Sequence, residues 1–212
     1  MGRDFPYEWR VSPEPVPYTQ AIDEMEHRVA AVEAGAAPEL FWLLEHPPTY
    51  TAGTSAGEGE LLDAHGFPVV STGRGGRYTY HGPGQRVIYV VADLRRQGRD
   101  LRAHVQRLEE WTIRTLATFD IKGERREGRI GIWVERDGTE EKIGAIGVRV
   151  RRWIAYHGLA LNVDPDLTHF KGIVPCGIVD FGVTSMRKLG STATMAQVDG
   201  AFRRELEGIF KG

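Results

Sequence analysis

The chain has 212 residues, 41% hydrophobic and 26% charged, with a net charge of −2. That length and apolar content fit one packed domain over residues 1–212, and the near-neutral total gives no reason to expect nucleic acid or an anionic membrane as partner. A single cysteine, Cys176, rules out an intrachain disulfide, and no apolar run reaches the ~20 residues of a membrane-spanning helix. The amino-terminal residues lack the apolar centre of a signal peptide, so a cytoplasmic protein is expected.

Residues 16–34 are predicted to form an amphipathic helix, because Ile22, Met25, Val29 and Val32 recur at helical spacing and Gly35 sits where a C-terminal cap belongs. Residues 40–44 are short, aromatic and apolar, and read as a buried strand stopped by Pro47-Pro48. A long loop is expected over 46–66, with Gly53, Gly57 and Gly59, then a short strand at 68–71 and a glycine-rich turn from Gly73 to Arg77. Residues 86–92 form another apolar strand. Asp100 is placed to cap a second helix whose buried face is Leu101, Val105, Leu108, Trp111, Thr112, Leu116 and Phe119. Strands at 131–136 and 142–150 pair across an Asp137-Gly138 turn, and 153–163 supplies the next. A last helix near 195–210 buries Val198, Phe202, Leu206 and Ile209 behind a capping box of Thr194 and Gln197. Helices and strands mix without strict alternation and hairpin signals dominate. The expected class is α+β, a mixed and largely antiparallel sheet flanked by helices.

Four segments combine glycine with polar or nucleophilic residues: 74–85 (RGGRYTYHGPGQ), 142–147 (KIGAIG), 156–162 (YHGLALN) and 173–178 (IVPCGI). Between Pro175 and Gly177, Cys176 reads either as a buried structural thiol or as a nucleophile held beside open backbone N–H groups. Lys142 opens a strand containing Gly144 and Gly147; it is a surface lysine paired with a hairpin glutamate, or it points into a cleft that those glycines open. His81, before the Gly82-Pro83-Gly84 corner, either orients other groups or is a satisfied core histidine. Small residues around His157 to Ala160 suit a groove for a hydrocarbon chain or tight strand packing equally. The histidines show no paired ligand spacing, and the Rossmann, Walker and nucleophile-elbow signatures are absent.

Taken together, RGG-x-x-T-x-HGPGQ, K-I-x-x-I-G-V-R-V, HG-x-ALN and IVPCGI, with the EHPPTYTAG stretch at 45–53, resemble the bacterial lipoyl(octanoyl) transferase family over about residues 44–185. The resemblance implies the fold of the biotin and lipoate protein ligase catalytic domain. It implies that Cys176 carries the acyl group as a thioester and that Lys142 lowers the thiol's pKa and moves protons. It implies substrate contacts at Arg74, Gly75, Gly76, Arg77, Tyr78, Thr79, Tyr80 and His81, at Ala145, Ile146 and Gly147, and at Gly158, Leu159 and Ala160. Arg77 and Tyr78 fall where that family varies, so their implied contact is through backbone. No metal and no cofactor is implied. The donor would be octanoyl-acyl carrier protein, and the acceptor a lysine in lipoyl domains of 2-oxoacid dehydrogenase E2 subunits or in the glycine cleavage H protein. Arg149, Arg151 and Arg152, or Arg95, Arg96, Arg99 and Arg102, are either a docking patch for such partners or solvated faces. The rival expectations are an ATP-dependent lipoate or biotin ligase, a thioesterase, and a non-catalytic module that binds acyl carrier protein.

Overall fold

A computed structural model describes residues 7–174 and 182–210. In chain order its elements are β1 (Tyr7–Val11), α1 (Tyr18–Glu33), β2 (Glu39–Leu44), β3 (Thr49–Ala52), β4 (Val69–Ser71), β5 (Tyr78–His81), β6 (Gln85–Asp93), α2 (Leu101–Ala117), β7 (Glu124–Arg126), β8 (Arg129–Arg136), β9 (Thr139–Arg151), β10 (Ile154–Asn162), β11 (Gly182–Val183) and α3 (Met195–Phe210). The main sheet runs β1-β2-β6-β10-β9-β8-β7, with β11 alongside β9. Only the β1–β2 and β11–β9 pairs in it are parallel, so the mixed and largely antiparallel expectation holds. A small second sheet, β4-β3-β5, stands apart.

The hydrophobic pattern explains the layers. In β6, Ile88, Val90 and Ala92 face α2 and α3, while Val87, Tyr89 and Val91 face α1, as a period of two requires. Trp111 of α2 joins Phe202 and Phe210 of α3 in one aromatic cluster, and its indole N–H donates to Phe202 O (2.8 Å). All three helices lie where the spacing predicts them. Gly35, at φ +70°, ends α1 in a left-handed turn with Ala36 N–H bonded back to Ala31 O (2.8 Å). Asp100 caps α2 by accepting from Ala103 N–H (2.9 Å). Thr194 N–H donates to Gln197 Oε1 (2.8 Å) and Gln197 N–H to Thr194 Oγ1 (3.3 Å), completing the capping box. No described helix is long and apolar enough to cross a membrane.

Five strands were not expected: β1, β3, β5, β7 and the two-residue β11. The predicted loop over 46–66 contains β3, and the glycine-rich segment contains β5; Thr49–Ala52 and Tyr78–His81 each give only four β-favouring residues between breakers, and they pair only with each other and β4. The edge strands β1 and β7 are half-buried and show little contrast between faces.

Glu39 begins β2 at 2% exposure, its Oε1 accepting from Asp93 N–H (2.9 Å). Burial pushes its carboxyl up to about 7. A carboxyl with a raised pKa contributes its full stability below the unfolded value near 4.5 and loses it as pH rises through 7. Glu39→Gln should therefore gain stability relative to the parent between pH 4.5 and 8, by roughly 1–3 kcal/mol in denaturant titrations. His46, His81, His104 and His157 have depressed pKa values and destabilise in acid, the opposite trend. It cancels in the difference between variant and parent.

Candidate active site

Along residues 145–151 the outer edge of β9 has no strand partner among the described residues. The glycine-rich loop covers it, Gly75 N–H donating to Val148 O (3.1 Å). Between this loop, β9, β10, β6 and the start of α2 lies a cavity of about 620 Å³.

Arg74 fastens the loop. Its Nη2 donates to Thr51 Oγ1 (2.6 Å) and Thr51 O (3.0 Å), and its Nη1 to Gly75 O (3.0 Å). So close a fit leaves no room for side chains opposite: a Cβ on Gly147 would lie 3.0 Å from Arg74 Cδ and 3.1 Å from Gly75 O, and one on Gly53 would lie 2.7 Å from Arg74 Nη1. Arg77 pairs with Glu60. The predicted residues Arg74 to Thr79 and His81 all line the cavity, as do Ala145, Ile146 and Gly147 and Gly158, Leu159 and Ala160. Tyr80 does not. Alternation along β5 turns its ring away, into a cluster with Tyr50, Phe67 and Phe170, where its hydroxyl bonds His169 Nδ1 (2.9 Å).

Lys142 also lines the cavity. Its Nζ donates to Ile130 O (3.0 Å) and lies 5.4 Å from the centre of the Trp133 ring. A register shift between Ile132↔Gly144 and Trp133↔Lys142 inserts an extra residue in β9 beside it, a bulge of the kind that re-aims a side chain. Gly131, at φ +127°, makes space for the lysine stem; a Cβ there would lie 2.5 Å from Lys142 Cε. The lysine backbone is held by β11, opposite Val183, and by Thr184 N–H donating to Lys142 O (3.0 Å). Cys176 lies outside the described residues. Ile173 and Val183, before and after it in sequence, both line the cavity.

Further along β9 and β10 from Lys142 the lining is aromatic and polar, under the charges of Arg74 and Arg149. Tyr18, Tyr89, His81 and His157 line this part. His46 stands behind, its Nδ1 2.6 Å from Val16 O and its Nε2 2.7 Å from Tyr89 Oη. Since a carbonyl only accepts, His46 donates from Nδ1 and accepts the Tyr89 hydroxyl at Nε2. Burial takes His46 down to about 4 and His157 down to about 3, so both rings are neutral at neutral pH. His157 has φ +62° in mid-strand, a conformation L side chains seldom adopt. Neighbours in a strand normally face opposite ways, but this ring stacks on Tyr156 (5.0 Å, 20°). The twisted backbone brings it round.

The resemblance did not mark Tyr18, Gln85, Tyr89, Trp133, His157 or Asn162 as site residues. Tyr18 comes from a helix far from every motif, and no signal in the sequence singles it out. Gln85 and Asn162 close two of the quoted motifs, which was the available hint. Of the arginine runs, Arg95 and Arg96 pair with Asp93, Arg152 with Glu33, and Arg149 lies over the Tyr156 ring.

Residues 17–207 match the profile of the lipoyl protein ligase A/B catalytic domain. Proteins named octanoyltransferase are similar along the whole chain. That of Paramagnetospirillum magneticum is 63% identical, covering 98% of each chain, and that of Rhodospirillum rubrum is 60% identical, covering 96% of this chain and 94% of its own. Among solved structures, the bipartite lipoate protein ligase of Thermoplasma acidophilum superposes with a TM-score of 0.71 at 15% identity, over 96% of this chain and 83% of that one. A lipoate-protein ligase A bound with ATP gives 0.71 at 15%, over 95% and 85%. Those two likenesses establish the fold expected from the motifs, and the sequence relatives establish more: this chain belongs to the octanoyltransferases of the lipoyl protein ligase A/B catalytic-domain family.

Proposed function

We propose that this protein is a cytoplasmic acyltransferase that moves an octanoyl group from the thioester of acyl carrier protein, through Cys176, to a lysine of a lipoyl domain. One observation carries the reading: three motifs far apart in sequence meet Lys142 around one cavity, in a chain about 60% identical to octanoyltransferases.

In the first half-reaction the Cys176 thiolate attacks the thioester carbonyl and the carrier's thiolate leaves, taking a proton from Lys142. In the second, the acceptor amine attacks the acyl-cysteine, an amide forms, Cys176 leaves as thiolate and Lys142 accepts the amine proton. Each step exchanges one acyl–heteroatom bond for another, so no ATP is consumed. The acyl tail lies along Ala145, Leu159 and Ala160, where each buried methylene contributes about 0.8 kcal/mol.

Intact-protein mass spectrometry tests the reading. Mixing with octanoyl-acyl carrier protein should add one octanoyl group, absent in Cys176→Ala and discharged when lipoyl domain is added. Activity of Cys176→Ala with ATP and free octanoate would instead identify a ligase, and equal octanoate release with and without lipoyl domain a thioesterase. A narrower trough gives a further expectation. Ala160→Leu should shift kcat/KM from octanoyl toward butanoyl and hexanoyl thioesters by roughly 10-fold, about the burial of two methylenes.

A further inference from the structure

Behind the peptide that holds Lys142 lies a buried acid that the reaction scheme leaves unused. Glu109 is on the buried face of α2 and is 7% exposed. Its two carboxylate oxygens serve two donors. Oε2 accepts from Arg125 Nε (3.1 Å), and Oε1 accepts from the backbone N–H of Gly131 (3.3 Å). That N–H and the carbonyl of Ile130 belong to one peptide group, and in a trans peptide they point opposite ways within one rigid plane. On the other side of the plane, Ile130 O accepts from Lys142 Nζ (3.0 Å). A single peptide thus stands between the carboxylate of α2 and the lysine of β9. The strand registers leave this peptide out: among the described residues neither Ile130 nor Gly131 is paired across β7–β8 or β8–β9. Ile130 is also 58% exposed, so packing of its side chain does little to fix the plane.

We propose that Glu109 is a positioning residue for Lys142: it fixes the 130–131 peptide, and Ile130 O in turn sets the direction in which the lysine amine works. This rests on the role given to Lys142 in the acyl-cysteine reading above. An amine that donates one N–H to a fixed carbonyl has its lone pair and its other N–H directed away from that carbonyl, and Lys142 lines the cavity. Positioned proton transfer depends on that direction. The choice of glutamate follows from the two donors. Only a carboxylate offers an oxygen to each of them. An amide at 109 has one oxygen, and the charged guanidinium of Arg125 is the stronger claimant for it. Its NH2 would then face the Gly131 N–H, donor against donor, and the peptide would turn away.

Loading from octanoyl-acyl carrier protein and transfer to a lipoyl domain, measured separately, test this. Glu109→Gln is expected to slow transfer roughly 30-fold, on the scale of a reacting group displaced by less than about 1 Å, while loading stays within about threefold and shows that the variant folds. Arg125→Ala alone leaves Oε1 on Gly131 and should transfer within about threefold of the parent. In the double variant Glu109→Gln, Arg125→Ala the amide oxygen is free to turn to Gly131, and transfer should rise about 10-fold above that of Glu109→Gln. On a Lys142→Arg background, where the group to be positioned is gone, Glu109→Gln should slow transfer by less than about twofold more. A merely structural acid would produce neither the recovery nor the dependence on residue 142. Unchanged transfer in Glu109→Gln, equal loss of loading and transfer, a double variant no faster than Glu109→Gln, or an undiminished further loss on the Lys142→Arg background each overturns the proposal. A parent enzyme that takes up no octanoyl group overturns both this and the acyl-cysteine reading. A parent that loads, with transfer lost in Lys142→Arg and normal in Glu109→Gln, overturns only this one.

Discussion

Lys142→Arg is expected to transfer octanoyl to a lipoyl domain about 1,000-fold more slowly than the parent, within the range a positioned acid–base group contributes, while its loading step stays within about 10-fold. On the proposed scheme the variant keeps the positive charge that favours the Cys176 thiolate, and in loading the departing carrier thiolate, a good leaving group, can take its proton from water instead of from residue 142. Arginine cannot give up a proton at working pH, which is what transfer needs. Geometry adds to the loss. The lysine stem passes through the space left by Gly131, its Nζ is held by Ile130 O, and Trp133 lies against it. A planar guanidinium does not fit that point-like seat. Single-turnover measurements of each step between pH 7 and 9 separate the roles. Transfer at the parental rate would leave Lys142 with an electrostatic role only.

Gly158→Ala is expected to lose about 3 kcal/mol of folding stability, near the upper end for overpacking, read as a lower denaturant midpoint at unchanged slope. Gly158 is in the middle of β10, opposite Gly147 on one side and Tyr89 on the other. A Cβ there would press into Ile88 O far inside van der Waals contact and lie 3.3 Å from Val90 N. Both obstacles are backbone, so relief requires separating β10 from β6 at the centre of the sheet. Gly144→Ala is the control. It lies on neighbouring β9, where a new Cβ would meet its nearest atoms at 3.4 Å, and it should lose less than about 1 kcal/mol. Similar losses in the two variants would mean that strand propensity, and not this close approach, governs β10.

What could be read from residues alone was what local rules decide. The three helices announce themselves through spacing and caps, and the β8–β9 hairpin through Asp137-Gly138, both at positive φ. The placement of β6 between β2 and β10 is set by contacts between distant residues, which periodicity does not encode. The site divides the same way. Motif glycines pointed to close approaches that do occur, at Gly147 against the loop and at Gly158 against β6. Tyr80 followed from its place in a motif, but whether a strand residue faces a cavity depends on register, and the spacing predicts no strand over 78–81. His157 opens a stretch that suits a groove, but that its own ring joins the wall depends on a positive φ in mid-strand, which spacing does not announce.

The glycine-rich loop has a second consequence, for how the molecules behave in crowded solution. Where Gly75 meets Val148, it occupies a stretch of strand that would otherwise show a row of unsatisfied backbone donors and acceptors, the template along which proteins stack edge to edge into aggregates. Changes that loosen the loop would then lower the concentration at which the protein stays dispersed, so the segment that walls the cavity also guards against self-association.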